Sequence, residues 1–350
     1  MISQLVKKIE KGNRISESEA LTLFNTLDFH TLGQLANEIR FRKNPLPIVT
    51  YVIDRNINYT NICISGCKFC AYYCGPEKSG GYVLSFEELG KKIEETKALG
   101  GTQILLQGGL HPDLPLSFYE EMVRFIKSYN IHLHGFSPPE IVHFSKISNL
   151  SVKQVLERLI KAGLDSIPGG GAEILVDKIR KKIAPQKATA TEWLNVMKTA
   201  HELGLKTTAT MMFGHIESVE DRITHLSRLR ELQDKTGGFT AFIPWPFQPG
   251  NTAIDCQSAT AFEYLKTLAI SRIFLDNFQN LQASWVTQGY KVAQMSLFFG
   301  ANDFGSTMIE ENVVAAAGVS HRLSEQDIRR HIKACGFEPR QRLMDYTLVK

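Results

Sequence analysis

Four cysteines fall within the twelve residues from Cys63 to Cys74, in the stretch NICISGCKFCAYYCG, and only six occur in the whole chain. Thiols this dense can form a disulfide, bind zinc or hold an iron–sulfur cluster. A reducing interior disfavours the disulfide. A tetrahedral zinc site usually draws on two short knuckles separated by a longer stretch, and the remaining cysteines, Cys256 and Cys335, stand alone. A thioredoxin-like pair would use Cys67 and Cys70 and leave Cys63 unexplained. Cys63, Cys67 and Cys70, spaced C-x3-C-x2-C, can hold three corners of a 4Fe–4S cluster, which usually takes four thiolates. With three, one iron stays open to an outside ligand. Cys74 is then a spare thiol, or a fourth ligand that would close that iron.

Such a loop needs a frame. Residues 1–48 read as a helical extension, with Ser16 and Glu19 at capping-box spacing. PIVTYVIDRNINYT then reads as one strand entering the cysteine loop. Beyond it, continuous apolar strands alternate with amphipathic helices, which means parallel β/α units. Six or more units over residues 49–320 predict an α/β fold, a parallel β/α barrel of the TIM type, complete or three-quarter. Residues 321–350 read as a C-terminal helix and tail packed on the barrel. Polar and glycine-rich residues fall just after the strands, where a β/α barrel gathers its chemistry.

Composition narrows the function. The chain has 350 residues, 43% hydrophobic and 22% charged, with a formal net charge of +4. That is ordinary globular composition. No basic run suggests nucleic acid. MISQLVKKIEKGNRIS lacks the apolar core of a secretory signal, and no stretch approaches the roughly 18 apolar residues of a membrane span. A cytoplasmic protein without a membrane partner is expected.

The motif C-x3-C-x-aromatic-C, here Cys63, Cys67, Phe69 and Cys70, after the first barrel strand resembles the radical S-adenosylmethionine (SAM) superfamily. Longer segments, among them YVLSFEELGKKIEETKALGGTQILLQGGLHPDLPL, AGLDSIPGGGAEIL, IPWPFQPGNT, ASWVTQG and GANDFGSTMIEENVV, resemble the cyclic dehypoxanthinyl futalosine synthases of menaquinone biosynthesis. Aminofutalosine synthase and the deazaflavin synthase components are close alternatives, and a metal-binding scaffold is the non-enzyme reading. The resemblance implies a 4Fe–4S cluster, SAM, the small-molecule substrate dehypoxanthine futalosine, and a one-electron reductant such as flavodoxin or ferredoxin. It implies a 5′-deoxyadenosyl radical that takes hydrogen from ribose C4′. The carbon radical then adds to the benzoate ring, and loss of an electron and a proton restores aromaticity.

The resemblance also assigns residues. Cys63, Cys67 and Cys70 are the cluster ligands, Phe69 packs beside cluster and adenine, and Tyr72 offers its backbone to adenine. Gln107, Gly108 and Gly109 stand where the superfamily has Gly-Gly-Glu, but Leu110 replaces the acid. Glu173, after three glycines, is a candidate for the ribose or ammonium of SAM, or a helix-start acid. Gly214 and Glu217 overlay a degenerate adenine-supporting motif that contains His215, a catalytic candidate or an ordinary hydrogen-bonded core histidine. Glu140, in SPPEI, could be the rearomatising base or a helix-start acid after two prolines. Trp245, Gln248 and Asn251 could wall the substrate, with Trp285 and Thr287 joining them. Asp303 and Ser306 sit in a glycine-flanked segment suited to a ligand, Asp303 with a catalytic role. Arg55 is a candidate for the benzoate carboxylate, or an ordinary surface arginine.

Overall fold

The structure is a computed structural model that describes residues 2–349. Among the described residues, ten strands lie in two sheets. The larger has seven parallel strands in sequence order: β2 (Asp54–Asn58), β3 (Gln103–Gln107), β4 (His132–Gly135), β5 (Ser166–Ile167), β6 (Lys206–Phe213), β7 (Phe239–Pro246) and β8 (Asn280–Leu281). The smaller sheet places β1 (Ile48–Val52) between β9 (Asp303–Ser306) and β10 (Glu338–Gln341). A single parallel bridge, Gln282 to Asp303, joins the end of β8 to β9. The strands therefore run round the interior from β2 to β8, on to β9 and back to β1, which leads directly into β2. This is the parallel β/α barrel architecture expected from the alternating strands and helices.

Two features differ from expectation. PIVTYVIDRNINYT is not one strand: β1 and β2 are separated at Ile53 because β1 pairs with β9 and β10 while β2 pairs with β3. The C-terminal segment is more than a helix and tail. After the helix Glu325–Ala334 it adds β10 beside β1 and carries Arg342 inward.

Local signals fix the helices. Ser16, Ser85, Ser137, Ser151, Thr189, Ser218 and Ser324 each close a capping box at a helix start, satisfying N–H groups that the helix leaves unpaired. The N-terminal helices Ile2–Glu10, Glu17–Thr26 and Phe29–Lys43 cover the barrel from outside. Phe29 stacks on Phe262 with centroids 4.0 Å apart. Arg14 joins Asp234 at 2.6 Å and Asp276 at 2.8 Å. No helix among the described residues is long and apolar enough to cross a membrane.

The barrel floor is closed by an ion pair. Arg342 Nε donates to Asp303 Oδ2 at 2.5 Å, and Thr50 Oγ1 donates to the same oxygen at 2.5 Å. Both charges are almost wholly buried. Removing one member of such a pair leaves a buried charge without a partner. Arg342→Ala is expected to cost about 3–5 kcal/mol, read as a lower urea midpoint with an unchanged slope. An unchanged midpoint would mean that the pair contributes nothing net.

Candidate active site

The cysteine loop leaves β2 at Tyr59 and is pinned at several points. Cys63 N donates to Cys74 O at 2.9 Å, and Cys74 N donates to Asn61 O at 2.8 Å. Lys68 N donates to Ile183 O, and Ala253 N to Lys68 O, both at 2.8 Å. The two glycines that follow β3 bring the chain hard against this loop. A Cβ on Gly109 would collide with Ile62 O, and one on Gly108 with the Tyr59 ring. Only glycine permits that approach.

Cys63, Cys67 and Cys70 line one cavity of about 240 Å³ with Phe69, Tyr72, Gln107, Gly108 and Gly109. Ser65 supports two of the sulfurs, its N–H 3.4 Å from Cys63 Sγ and its hydroxyl 3.2 Å from Cys67 Sγ. Burial pushes the Cys67 and Cys70 thiols up, while Lys187 pulls both down. Cys74 does not line the cavity; its sulfur faces the carbonyls of Gly75, Lys78 and Ser79 at 3.6 to 3.7 Å. Three thiols therefore face the cavity from this loop, as a cluster with one open iron requires. Among the described residues no three His, Cys, Asp or Glu side chains close on one point that could hold a single ion.

The cavity wall carries charge. Glu173, at φ 43°, accepts from Lys187 Nζ at 2.6 Å, and that ammonium lies 5.0 Å from the centroid of the Phe69 ring. Burial would lower the Lys187 pKa, but Glu173 and Cys67 hold it above its ordinary value. Sequence reasoning missed Lys187, one of several lysines in KIRKKIAPQK. Glu140 also lines this cavity, yet both its oxygens are taken. Oε1 accepts from Tyr59 Oη at 2.7 Å and Gly108 N at 3.0 Å; Oε2 accepts from Ser137 N at 2.7 Å and Ser137 Oγ at 2.6 Å.

A second cavity of about 290 Å³ fills the barrel interior. Gln107, Gly170, Trp245 and Val313 line both cavities and form the passage between them. Trp285 lines the inner chamber and donates from Nε1 to Ser306 O at 2.9 Å; Thr287 and Ser306 line it too. Ser306 Oγ is bonded to Asp54 Oδ1, and Gln103 Nε2 donates to Asp54 Oδ2 at 2.7 Å. Asn56 and His134 reach the same chamber. The Oδ1 of Asn56 and the Oε1 of Gln103 are buried without a protein partner. Buried polar groups are usually paired, so these two oxygens are suited to accept a hydrogen bond from a ligand. None of Asp54, Asn56, Gln103 and His134 was singled out from the sequence. Strand alternation carried the signal, with Asp54 and Asn56 two apart on β2 and Gln103 in step with Gln107 on β3, because alternate residues share a face.

Several expected residues lie elsewhere. Arg55 points out of the barrel and pairs with Glu95 at 2.8 Å beneath the helix Phe86–Ala98, because odd positions of β2 face the helices. Asp303 is held by Arg342 and does not line either cavity. Gln248 donates to Pro246 O at 3.1 Å and Asn251 to Ala316 O at 2.8 Å, both outside the cavities. Gly214, His215 and Glu217 form a turn after β6, also outside them. There Glu217 Oε1 accepts from Gly214 N at 2.6 Å and Arg222 Nε at 2.7 Å.

Burial alone would raise the Glu217 carboxyl, but His215, Arg222 and the Gly214 N–H hold it at about 2, against an ordinary 4.5. A depressed carboxylate adds stability above pH 4.5, and that contribution is lost as pH falls toward 2. Cluster-free Glu217→Gln is therefore expected to be less stable near neutral pH. Its unfolding free energy should also fall less steeply over that acid range. Parallel urea-denaturation curves for the two proteins would contradict this.

Comparison with known proteins agrees with this geometry. Residues 57–229 match the family model of the radical SAM superfamily, and residues 236–350 match that of the CofH/MqnC C-terminal region. The chain is 46% identical to cyclic dehypoxanthine futalosine synthase of Halalkalibacterium halodurans, over 100% of this chain and 95% of that one. It is 43% identical to the enzyme of the same name from Streptomyces coelicolor, over 99% and 88%. It is 42% identical to 5-amino-6-(D-ribitylamino)uracil–L-tyrosine 4-hydroxyphenyl transferase of Archaeoglobus fulgidus, over 90% and 93%. Among solved structures, the FeFe-hydrogenase maturase HydG from Carboxydothermus hydrogenoformans superposes with a TM-score of 0.76 at 18% identity. That match covers 99% of this chain and 80% of that one. Methylornithine synthase gives 0.74 at 17%, covering 96% and 97%. At these identities the superpositions speak for the fold alone. The chain is a radical SAM enzyme of the family of its full-length relatives, with a C-terminal region of the CofH/MqnC type.

Proposed function

We infer that the chain cyclises dehypoxanthine futalosine. Hydrogen leaves ribose C4′, the carbon radical adds to the benzoate ring, and an electron and a proton are lost as the ring becomes aromatic again. The observation that carries this reading is the pair of joined cavities. One is lined by three thiols, and the other fills the barrel interior and shares Gln107, Gly170 and Trp245 with it. The likeness to the two cyclic dehypoxanthine futalosine synthases over nearly the full chain supports the substrate class.

A reduced 4Fe–4S cluster with SAM supplies the 5′-deoxyadenosyl radical. Cys63, Cys67 and Cys70 would hold the cluster, with Ser65 donating to their sulfurs. Phe69 and Tyr72 would flank the nucleoside, and Gly108 and Gly109 would let the backbone approach it. Glu173 and Lys187 offer opposite charges to the amino and carboxylate groups of SAM. Glu140 positions the mouth: a carboxylate already accepting four hydrogen bonds has no free lone pair aimed at a substrate.

The inner chamber does the rest. A primary alkyl radical attacks many C–H bonds, so its selectivity comes from holding one target close and excluding others. Trp245 and Trp285 wall the chamber, and Asn56 and Gln103 offer hydrogen-bonding oxygens to a hydroxyl-rich ring. A one-electron reductant of the flavodoxin or ferredoxin class would supply the electron that first cleaves SAM.

Anaerobic reconstitution with iron and sulfide, reduction, and addition of SAM with dehypoxanthine futalosine tests the reading. 5′-Deoxyadenosine and a product two mass units below the substrate are expected together, and Cys67→Ala should abolish both. 5′-Deoxyadenosine without cyclised product would move the substrate to that of a relative. No cluster and no SAM cleavage would overturn the reading.

A further inference from the structure

Rearomatisation releases a proton deep in the barrel interior, and that proton needs an acceptor. His132 and His134 lie two residues apart on β4 and share its inward face. The hydroxyl of Ser166, on β5, sits between them, 2.7 Å from His132 Nε2 and 2.7 Å from His134 Nδ1. A hydroxyl has one proton to give. It therefore donates to one imidazole and accepts from the other, which sets the two rings in line as donor and acceptor. His134 lines the inner chamber, and with Nδ1 on Ser166 its Nε2 is the free edge of the ring. The β-sheet register puts His134 level with Leu105, and His132 one layer lower, level with Gln103. His132 is only half-buried, at the end of β4 furthest from the cysteine loop.

We propose that His134 is the base of the rearomatisation step and that Ser166 and His132 conduct its proton out through the barrel floor. This rests on the cyclase reading. In the cyclised radical, the C–H bond at the newly substituted ring carbon breaks. Its electron pair enters the ring, and the proton goes to His134 Nε2. The one surplus electron goes to a one-electron acceptor, a role that an oxidised iron–sulfur cluster would fill. His134 Nδ1–H passes its proton to Ser166, Ser166 passes its own to His132 Nε2, and His132 releases one to solvent.

The surroundings suit a neutral base. Burial, His132 and the Arg342 guanidinium all push the His134 pKa well down. Burial also lowers His132; Asp165 and Asp345 oppose that and Lys127 adds to it. A hydroxyl that merely satisfied two buried rings would not require one ring to line the chamber.

The test is His134→Gln in the reconstituted holoenzyme. Substrate-dependent 5′-deoxyadenosine should persist while cyclised product falls ~10²–10⁴-fold, and an organic radical should accumulate in the electron paramagnetic resonance spectrum. His132→Gln and Ser166→Ala should slow product formation and shift its pH profile. In cluster-free protein, Ser166→Ala should change the ring ¹⁵N shifts of both histidines. Product and 5′-deoxyadenosine falling together with a raised KM would reduce His134 to a substrate contact and overturn the proposal. Unchanged ¹⁵N shifts would overturn the relay. No 5′-deoxyadenosine from the unsubstituted enzyme would overturn the cyclase reading itself.

Discussion

One buried carboxylate, Glu140, sets the spacing on which the mouth of this barrel depends. It binds Tyr59 at the end of β2, Gly108 at the end of β3 and Ser137 ahead of the helix Pro138–Ser148. Burial pushes its pKa up, and the donors of Ser137, Tyr59 and Gly108 work against that. Each of those donors, left unpaired in a buried site, would cost about 1–3 kcal/mol. Three chain segments are therefore locked at hydrogen-bond distance from one group. The cysteine loop begins next to Tyr59 and is pressed against Gly109, so the position of the thiols follows from this junction.

The same economy governs the interior. Alternate residues of β2, β3 and β4 face inward and build polar layers. Asp54 and Gln103 lie deepest, with Asn56 and His134 one step nearer the mouth. Buried polar side chains are costly unless partners complete them. The chamber therefore combines apolar walls with a few polar groups that a ligand can complete, and it meets the thiol-lined cavity beside Trp245. The Arg342–Asp303 pair spends its charge on closing the floor beneath it.

The fold was legible because each β/α unit carries its own local signals. Ser16 with Glu19 announced a capping box that the structure contains, and the apolar strands announced a parallel sheet. The three clustered cysteines were legible because their spacing is itself the motif. What escaped was set by long-range pairing. The break at Ile53 leaves no local trace, since both halves of PIVTYVIDRNINYT suit a strand. Asp303 looked like a ligand because its partner, Arg342, lies 39 residues away in sequence. Arg55 was misplaced by one step of strand alternation: its neighbours Asp54 and Asn56 face the chamber, so it cannot. Lys187 was invisible among lysines until Glu173 and the Phe69 ring were seen beside it.

The central claim is that the two joined cavities bring the radical source to ribose C4′ of the substrate. Dehypoxanthine futalosine deuterated at C4′ tests it directly, by mass spectrometry of the 5′-deoxyadenosine formed in one turnover. The account predicts one deuterium in that product. 5′-Deoxyadenosine without deuterium, formed alongside cyclised product, would contradict it.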